Sequence, residues 1–338
     1  MFGLRLPVLL TALLLFLAIV PGPCLAEDGL ALKIATLSPE GTSLVQGLRD
    51  ASDAIKEKTG GRVFLKLYTG GVMGNDSVVL RKMRMGQLQG GFLAAGELGK
   101  VSKGYGILGM PMLFDNYAEA DAVRQAVEPK LIAGLEKDGY VSFGLLEIGF
   151  VYIMSNRPLK TLEDIQGCKP WNPEGNELGQ EIFEALQATP IPLPVPDVAT
   201  ALQTGLVDTV FNSPVATLAL QWFTKVDYLT RFPLLYSYGS LILSEQAWKQ
   251  ISPEDQAVVS ETLAALMRDL NVQSRKDNEA AAETLRKQGI EFLDVAPGEA
   301  DKLRALCATI IESRRERGLL DPAMLEQIQS ILKGVRGN

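Results

Sequence analysis

Apolar and polar residues alternate along this chain in two registers, and the switches between them outline its elements. Leu30-Ala31-Leu32-Lys33-Ile34-Ala35-Thr36 reads as a first strand, after which Thr42 or Ser43 can cap a helix running through Ala54-Ile55-Lys56-Glu57-Lys58. Gly60-Gly61 stops that helix, and Arg62 to Tyr68 alternates as a second strand. The order then repeats: Ser77 to Met85 is helical, and Gly86 and Gly90-Gly91 lead into Phe92-Leu93-Ala94-Ala95. This βαβ rhythm predicts an α/β fold with a largely parallel sheet and helices on its faces.

A second α/β set starts near Gly149, with Val151 to Ser155 as a strand and Glu177 to Leu186 as a helix. Pro190, Pro192, Pro194 and Pro196 then impose an extended, semi-rigid path before a helix from Asp197 to Thr204. Such a path would present Val195 at a constant place. Ser252-Pro253-Glu254-Asp255 is a strong helix start, with a capping serine, proline at the first position and two acids at the positive end of the dipole. No breaker follows until Gly289. One helix of that span would reach about 50 Å; the alternative is two helices with a kink.

The N-terminus changes the picture of where the chain works. Arg5, an apolar run from about Val8 to Val20, and small residues at Cys24-Leu25-Ala26 read as a secretory signal over residues 1–26, with the mature chain starting near Glu27. Acylation at Cys24 is the alternative, although Pro21-Gly22-Pro23 fits that consensus poorly. No other stretch is long and apolar enough to cross a membrane, which predicts an exported, soluble mature chain. Its length suits two lobes better than one core.

Charge and chemistry narrow the function classes. The 33 Lys and Arg against 40 Asp and Glu give a net charge of −7, and the leader removes only Arg5, leaving −8. That argues against nucleic acid as a partner. The chain has no histidine, which excludes Ser-His and Cys-His nucleophilic pairs and histidine-ligated zinc. Neither common glycine-rich nucleotide loop is present, and no cofactor is implied. Carboxylate-pair chemistry stays open, but no spacing singles out a pair. Cys168 and Cys307 would remain after cleavage, either as a disulfide or as buried thiols.

An ordered set of short motifs resembles the substrate-binding subunits of TRAP transporters, the DctP family. Thr59-Gly60-Gly61-Arg62-Val63, the Gly-Gly-x-x-Gly of Gly70 to Gly74, Met110-Pro111-Met112-Leu113-Phe114, Ser155-Asn156-Arg157-Pro158-Leu159, Asp164 to Pro173 and Ala201 to Asp208 occur in the family's order. The resemblance implies two α/β lobes joined at a hinge, closing around one small organic ligand, with a long helix behind both lobes. It implies lobe I at 27–149 plus about 236–275 and lobe II at 150–235 plus about 276–338. It further implies a periplasmic carrier rather than an enzyme, delivering its cargo to the TRAP integral membrane subunits. A ligand receptor that signals through a partner is the other binding class, and a periplasmic enzyme would need an acid–base pair in the cleft.

Carried over residue by residue, the family's pocket comes out apolar. The arginine that clamps a carboxylate in the family falls on Trp171, and a second arginine falls on Val151, next to Phe150. An acidic contact of sialic-acid-binding relatives maps near Ala94, and a pocket phenylalanine maps to Val195. The polar position at Asn212 is kept; Phe211 precedes it and Trp222 follows on the next helix. A carboxylate buried without its partner suffers a desolvation penalty of several kcal/mol, comparable with much of the ~8 kcal/mol behind micromolar binding. Apolar area, at ~25 cal/mol per Å², favours instead a ligand with a large apolar part, such as a fatty acid, an isoprenoid or an aromatic. In this the chain resembles relatives that lack the arginine and work with a tetratricopeptide-repeat lipoprotein, which the resemblance implies as a further partner. The alternative is a carboxylate binder using a displaced basic residue, with Lys169, Arg157 and Lys225 nearest in sequence.

Other residues read first as packing or surface. Met73, Met83, Met85, Met110 and Met112 fit core filling better than a ligand lining, and Tyr68 and Tyr152 fit half-buried strand positions. Arg275-Lys276-Asp277-Asn278-Glu279 and Arg314-Arg315-Glu316-Arg317 read as solvated helix faces.

Overall fold

A computed structural model describes residues 29–337, so the expected leader and Cys24 lie outside the described residues. Strands β1 (Leu30–Thr36), β2 (Val63–Tyr68) and β3 (Gly90–Ala94) form where alternation predicts them. The helix Ser43–Lys58 lies between the first two, its N-terminus capped by the Thr42 side chain accepting from the Val45 N–H. Both pairings of β1, with β2 and with β3, are parallel, as the βαβ order requires.

Beyond β3 the parallel expectation fails. Strands β4 (Tyr140–Ser155) and β8 (Tyr228–Ser244) are 16 and 17 residues long and pair with each other antiparallel, and β3 pairs antiparallel with β8. Short strands β5 (Trp171–Pro173) and β6 (Ile191–Leu193) make their own parallel pair. The large sheet runs β2-β1-β3-β8-β4-β7, with β7 (Thr209–Asn212) antiparallel to β4 and β9 (Glu291–Leu293) parallel to β8. Because β4 and β8 each pass through both lobes, the sheet is continuous and its two long strands are the hinge.

That ribbon is irregular by design of sequence. Its register shifts between Ser142 and Leu145 and between Glu147 and Gly149. Gly144 and Gly149 take φ of 118° and 114° there, a conformation open to glycine at little cost. Alternation broken by these bulges explains why only the final stretch of β4 reads as a strand in the sequence.

Pro253–Lys287 is one continuous 35-residue helix capped by Ser252, so the kinked alternative falls away. Its buried residues, Val259, Leu263, Met267, Leu270, Ser274, Asn278, Ala281 and Leu285, recur at spacings of four and three and make a single stripe along the helix. The first four join the lobe I core with Leu48, Ile55 and Leu241, while Leu285 joins lobe II with Val198 and Leu229. Between them Asn278 donates to the Ile148 carbonyl at 2.9 Å and accepts from the Val215 N–H at 3.3 Å, fastening helix, hinge strand and lobe II together. The last helix, Pro322–Arg336, departs from the lobe II range expected for it: Leu325, Ile328 and Leu332 pack in the core around Val123, Val127 and Leu131 of lobe I.

Candidate functional site

Between the lobes lies a cavity of about 720 Å³, within the range of pockets that hold drug-sized ligands. The lobes touch across its mouth: Asn75 Nδ2 donates to Glu174 Oε2 at 3.1 Å, and Gly71 of the Gly70–Gly74 loop packs against Pro196 of the proline-rich segment. That segment is extended as its prolines dictate, pairing through β6 with β5 before a tight turn at Val195–Asp197 and the helix Val198–Thr204.

Trp171 is a firmly held wall of this cavity. Only 4% exposed, it begins β5 and its Nε1–H donates to the Leu193 carbonyl at 2.9 Å. Its indole meets that of Trp222 edge-on, ring centroids 5.0 Å apart. Ala94, Val151, Val195, Phe211 and Asn212 line the cavity with it. Trp222 does not; it backs Trp171 from inside the lobe II core. Phe150 also stays out of the lining, because its ring turns to Tyr117 and Tyr236 in the lobe I core.

The mapped acidic contact has a counterpart that spacing alone hides. No acid stands at Ala94, yet its N–H donates to Asp76 Oδ2 at 2.9 Å, and Asp76 lines the cavity. Burial pushes the Asp76 carboxyl up to about 7, against the pull of the Ala94 hydrogen bond. Asp76 opens the helix Asp76–Arg84, behind the cap made by Asn75. An acid at a helix start reads as a capping residue, which is why sequence reasoning passes over it.

Cations are scarce in this lining. Lys169 donates to the Gly205 carbonyl, Arg157 lies against Cys168 Sγ at 2.9 Å, and Lys225 is exposed; none of the three lines the cavity. The basic residues that do are Lys100, Lys103 and Arg314, and Lys100 is paired with Glu97 at 2.9 Å. Cys168 and Cys307 are buried free thiols, with burial pushing that of Cys307 up to about 12. Of the methionines, Met110 lines the cavity, Met83 and Met112 lie in cores, and Met85 is exposed.

In the cavity wall formed by Glu147 and Tyr236, a polar network joins the hinge to the long helix. Glu147 on β4, 1% exposed, accepts from Arg275 Nε at 2.9 Å and from the Tyr236 hydroxyl at 2.8 Å. Arg275 also bonds Asp121 and lies over the Tyr117 ring at 4.3 Å; these bonds to Asp121 and Glu147 hold its guanidinium well above the usual arginine range. The reading of Arg275 as a solvated residue is therefore corrected: the helix turns it inward because Glu147 would otherwise be a buried, uncompensated charge. Arg314 is corrected likewise, being only 13% exposed and bonded to Glu181.

Comparison with known proteins accounts for this architecture. Residues 34–316 match the family described as bacterial extracellular solute-binding protein, family 7 (DctP). The chain is 23% identical to the C4-dicarboxylate-binding periplasmic protein DctP of Rhodobacter capsulatus over 317 residues, covering 91% of this chain and 92% of that one. It is 22% identical over 267 residues to the C4-dicarboxylate-binding protein DctB of Bacillus subtilis, covering 78% and 74%. The crystal structure of the sugar acid binding protein DctPAm from Advenella mimigardefordensis, in complex with galactonate, superposes with a TM-score of 0.83 at 22% identity, covering 91% of this chain and 99% of that one. Two lobes on a crossing-strand hinge, a cleft between them and a family match over most of the sequence agree: the chain belongs to the DctP family of TRAP-transporter periplasmic solute-binding proteins, which are binding proteins and not enzymes.

Proposed function

We propose that this chain is exported, captures in its interlobe cleft a ligand with a large apolar part, and delivers it to the TRAP integral membrane subunits. The observation that carries this reading is Trp171, fixed as a cavity wall at the place where the family's carboxylate clamp is expected. Val151, Phe211, Val195 and Ala94 extend the same apolar surface, and Asn212 is its polar point of orientation. Relatives are named for C4-dicarboxylates and a structural neighbour holds galactonate. A C4-dicarboxylate dianion would find no arginine at the place that Trp171 occupies. It would forgo charge-assisted hydrogen bonds worth about 1.5–3 kcal/mol each and leave its charge poorly compensated.

An apolar cargo dissolves poorly in a periplasm and calls for a hand-over partner, and a tetratricopeptide-repeat lipoprotein is the one we propose. The test is mass spectrometry of an organic-solvent extract of the natively purified protein. A stoichiometric lipid or other apolar molecule supports the reading. A small polar acid, released only on unfolding, overturns it.

A further inference from the structure

The cavity is not confined to the central cleft. Its lining continues past Leu178, Ile182 and Leu303 to Arg314 and the turn carrying Leu319, so an apolar arm runs between the helices Glu177–Ala185 and Glu299–Glu316. Arg314 is the basic side chain built into this arm. Its Nη1 donates to Glu181 Oε1 at 3.0 Å, and Arg317 donates to that same oxygen. Burial alone would raise the Glu181 carboxyl, but the bonds from Arg317 and Arg314 outweigh it and hold it below the ordinary carboxylate range. One carboxylate thus faces two guanidiniums, leaving one positive charge in excess. The Arg314 Nε is buried and has no hydrogen-bond partner among the described residues. A buried donor left unmet costs free energy that an incoming acceptor would recover. Lys103, which also lines the cavity, makes no ion pair among the described residues.

We propose that this arm is a head-group subsite, and that the ligand is a long-chain carboxylate whose acid end meets Arg314 while its hydrocarbon chain lies in the central cleft against Trp171 and Phe211. The proposal rests on the apolar-cleft reading and adds to it a place and a charge for the ligand's polar end. The acid of the cargo is thereby moved away from the position that Trp171 occupies. It is recognised at the far end of the cavity, by an arginine on the helix Glu299–Glu316.

Dodecanoate and dodecanol, which share the chain and differ in the head, separate the alternatives when titrated calorimetrically into the protein stripped of bound ligand. The unaltered protein should bind dodecanoate at least tenfold more tightly than dodecanol. Arg314→Met should abolish that preference, whereas Arg317→Gln, which removes the excess charge at Glu181 but keeps the Arg314 donor in the cavity, should reduce it only in part. Equal affinities in the unaltered protein overturn the head-group site while the apolar cleft stands, and this arm needs no variant to fold. An equally complete loss of preference in Arg317→Gln also overturns it, since the preference would then follow the net charge around Glu181 and not the Arg314 donor. Binding of neither probe overturns the head-group site and the apolar cleft together.

Discussion

The indole of Trp171 stands edge-on to that of Trp222, planes at 77°, while its Nε1–H is held by the Leu193 carbonyl. One residue lines the cavity and the other only supports it, so substitutions at the two should separate binding from stability. Trp171→Phe keeps an aromatic wall, loses about 1 kcal/mol with the hydrogen bond and should retain the ligand. Trp222→Ala leaves a void in the lobe II core worth about 3–5 kcal/mol. Trp171→Arg should shift preference from a neutral long-chain alcohol toward a short dicarboxylate; an unchanged preference by calorimetry would count against the apolar cleft.

Gly149 sits at a bulge of the hinge with φ of 114°, and a Cβ there would stand 2.6 Å from Asn278 Nδ2. Gly149→Ala should therefore destabilise by on the order of 2–3 kcal/mol through backbone strain alone, more with the clash. In an Asn278→Ala background the clash is gone and the cost of Gly149→Ala should fall. Equilibrium denaturation of the four proteins of this cycle gives the difference.

Glu147 depends on Arg275 for its charge compensation, with Arg124 more distant at 3.9 Å. Arg275→Met should cost about 3–5 kcal/mol, as expected when a buried carboxylate loses its partner. Arg275→Met combined with Glu147→Gln should recover much of that loss, which thermal unfolding of the single and double variants measures.

Local signals carried the parts of the fold that they physically determine. Alternation gave β1 and β2, and Ser252-Pro253 gave the start of the long helix to the residue, because caps and periodicity act over a few positions. The crossing strands were illegible since Gly144 and Gly149 interrupt the alternation, and antiparallel pairing between segments some ninety residues apart leaves no local mark. Within the site, Trp171, Val151 and Phe211 were found by motif position, while Phe150 faces the other way from its neighbour as strand geometry demands. Asp76 and Arg314 were missed for one shared reason. Each sits on a helix where its charge has an ordinary surface explanation, and only the packing of another element against it makes it a cavity residue.

Asp76 should make stability depend on pH. Its carboxyl titrates near 7 in the folded protein against an ordinary 3.8 when unfolded. Below about pH 4 both states are protonated and the group has no effect. As pH rises from about 4 to 7 the unfolded chain ionises first, so folding is increasingly disfavoured, and above about 7 the penalty is complete. At ~1.4 kcal/mol per unit, reduced by the partial exposure of the group, the loss is on the order of 2–4 kcal/mol. Asp76→Asn still accepts from the Ala94 N–H and should lose this component, which denaturant titrations at pH 5 and pH 8 measure directly.

The contact between Asn75 and Glu174 closes the mouth of the cleft from opposite lobes and exists only while the lobes are together. It is solvent-exposed, so its contribution is modest, about 0.2–1 kcal/mol by analogy with exposed polar pairs. That amount belongs to the closed form alone, because in an open protein both groups are hydrated. Glu174→Ala should therefore leave ligand association nearly unchanged, since entry occurs through the open cleft, and accelerate dissociation by up to about fivefold. Asn75→Ala removes the same bond but also the cap that accepts from the Val78 N–H, so it should lower thermal stability as well. Stopped-flow fluorescence, with Trp171 as the reporter in the cavity wall, reads both rates. A slowed association with unchanged dissociation in Glu174→Ala would mean that the contact shapes the open cleft instead.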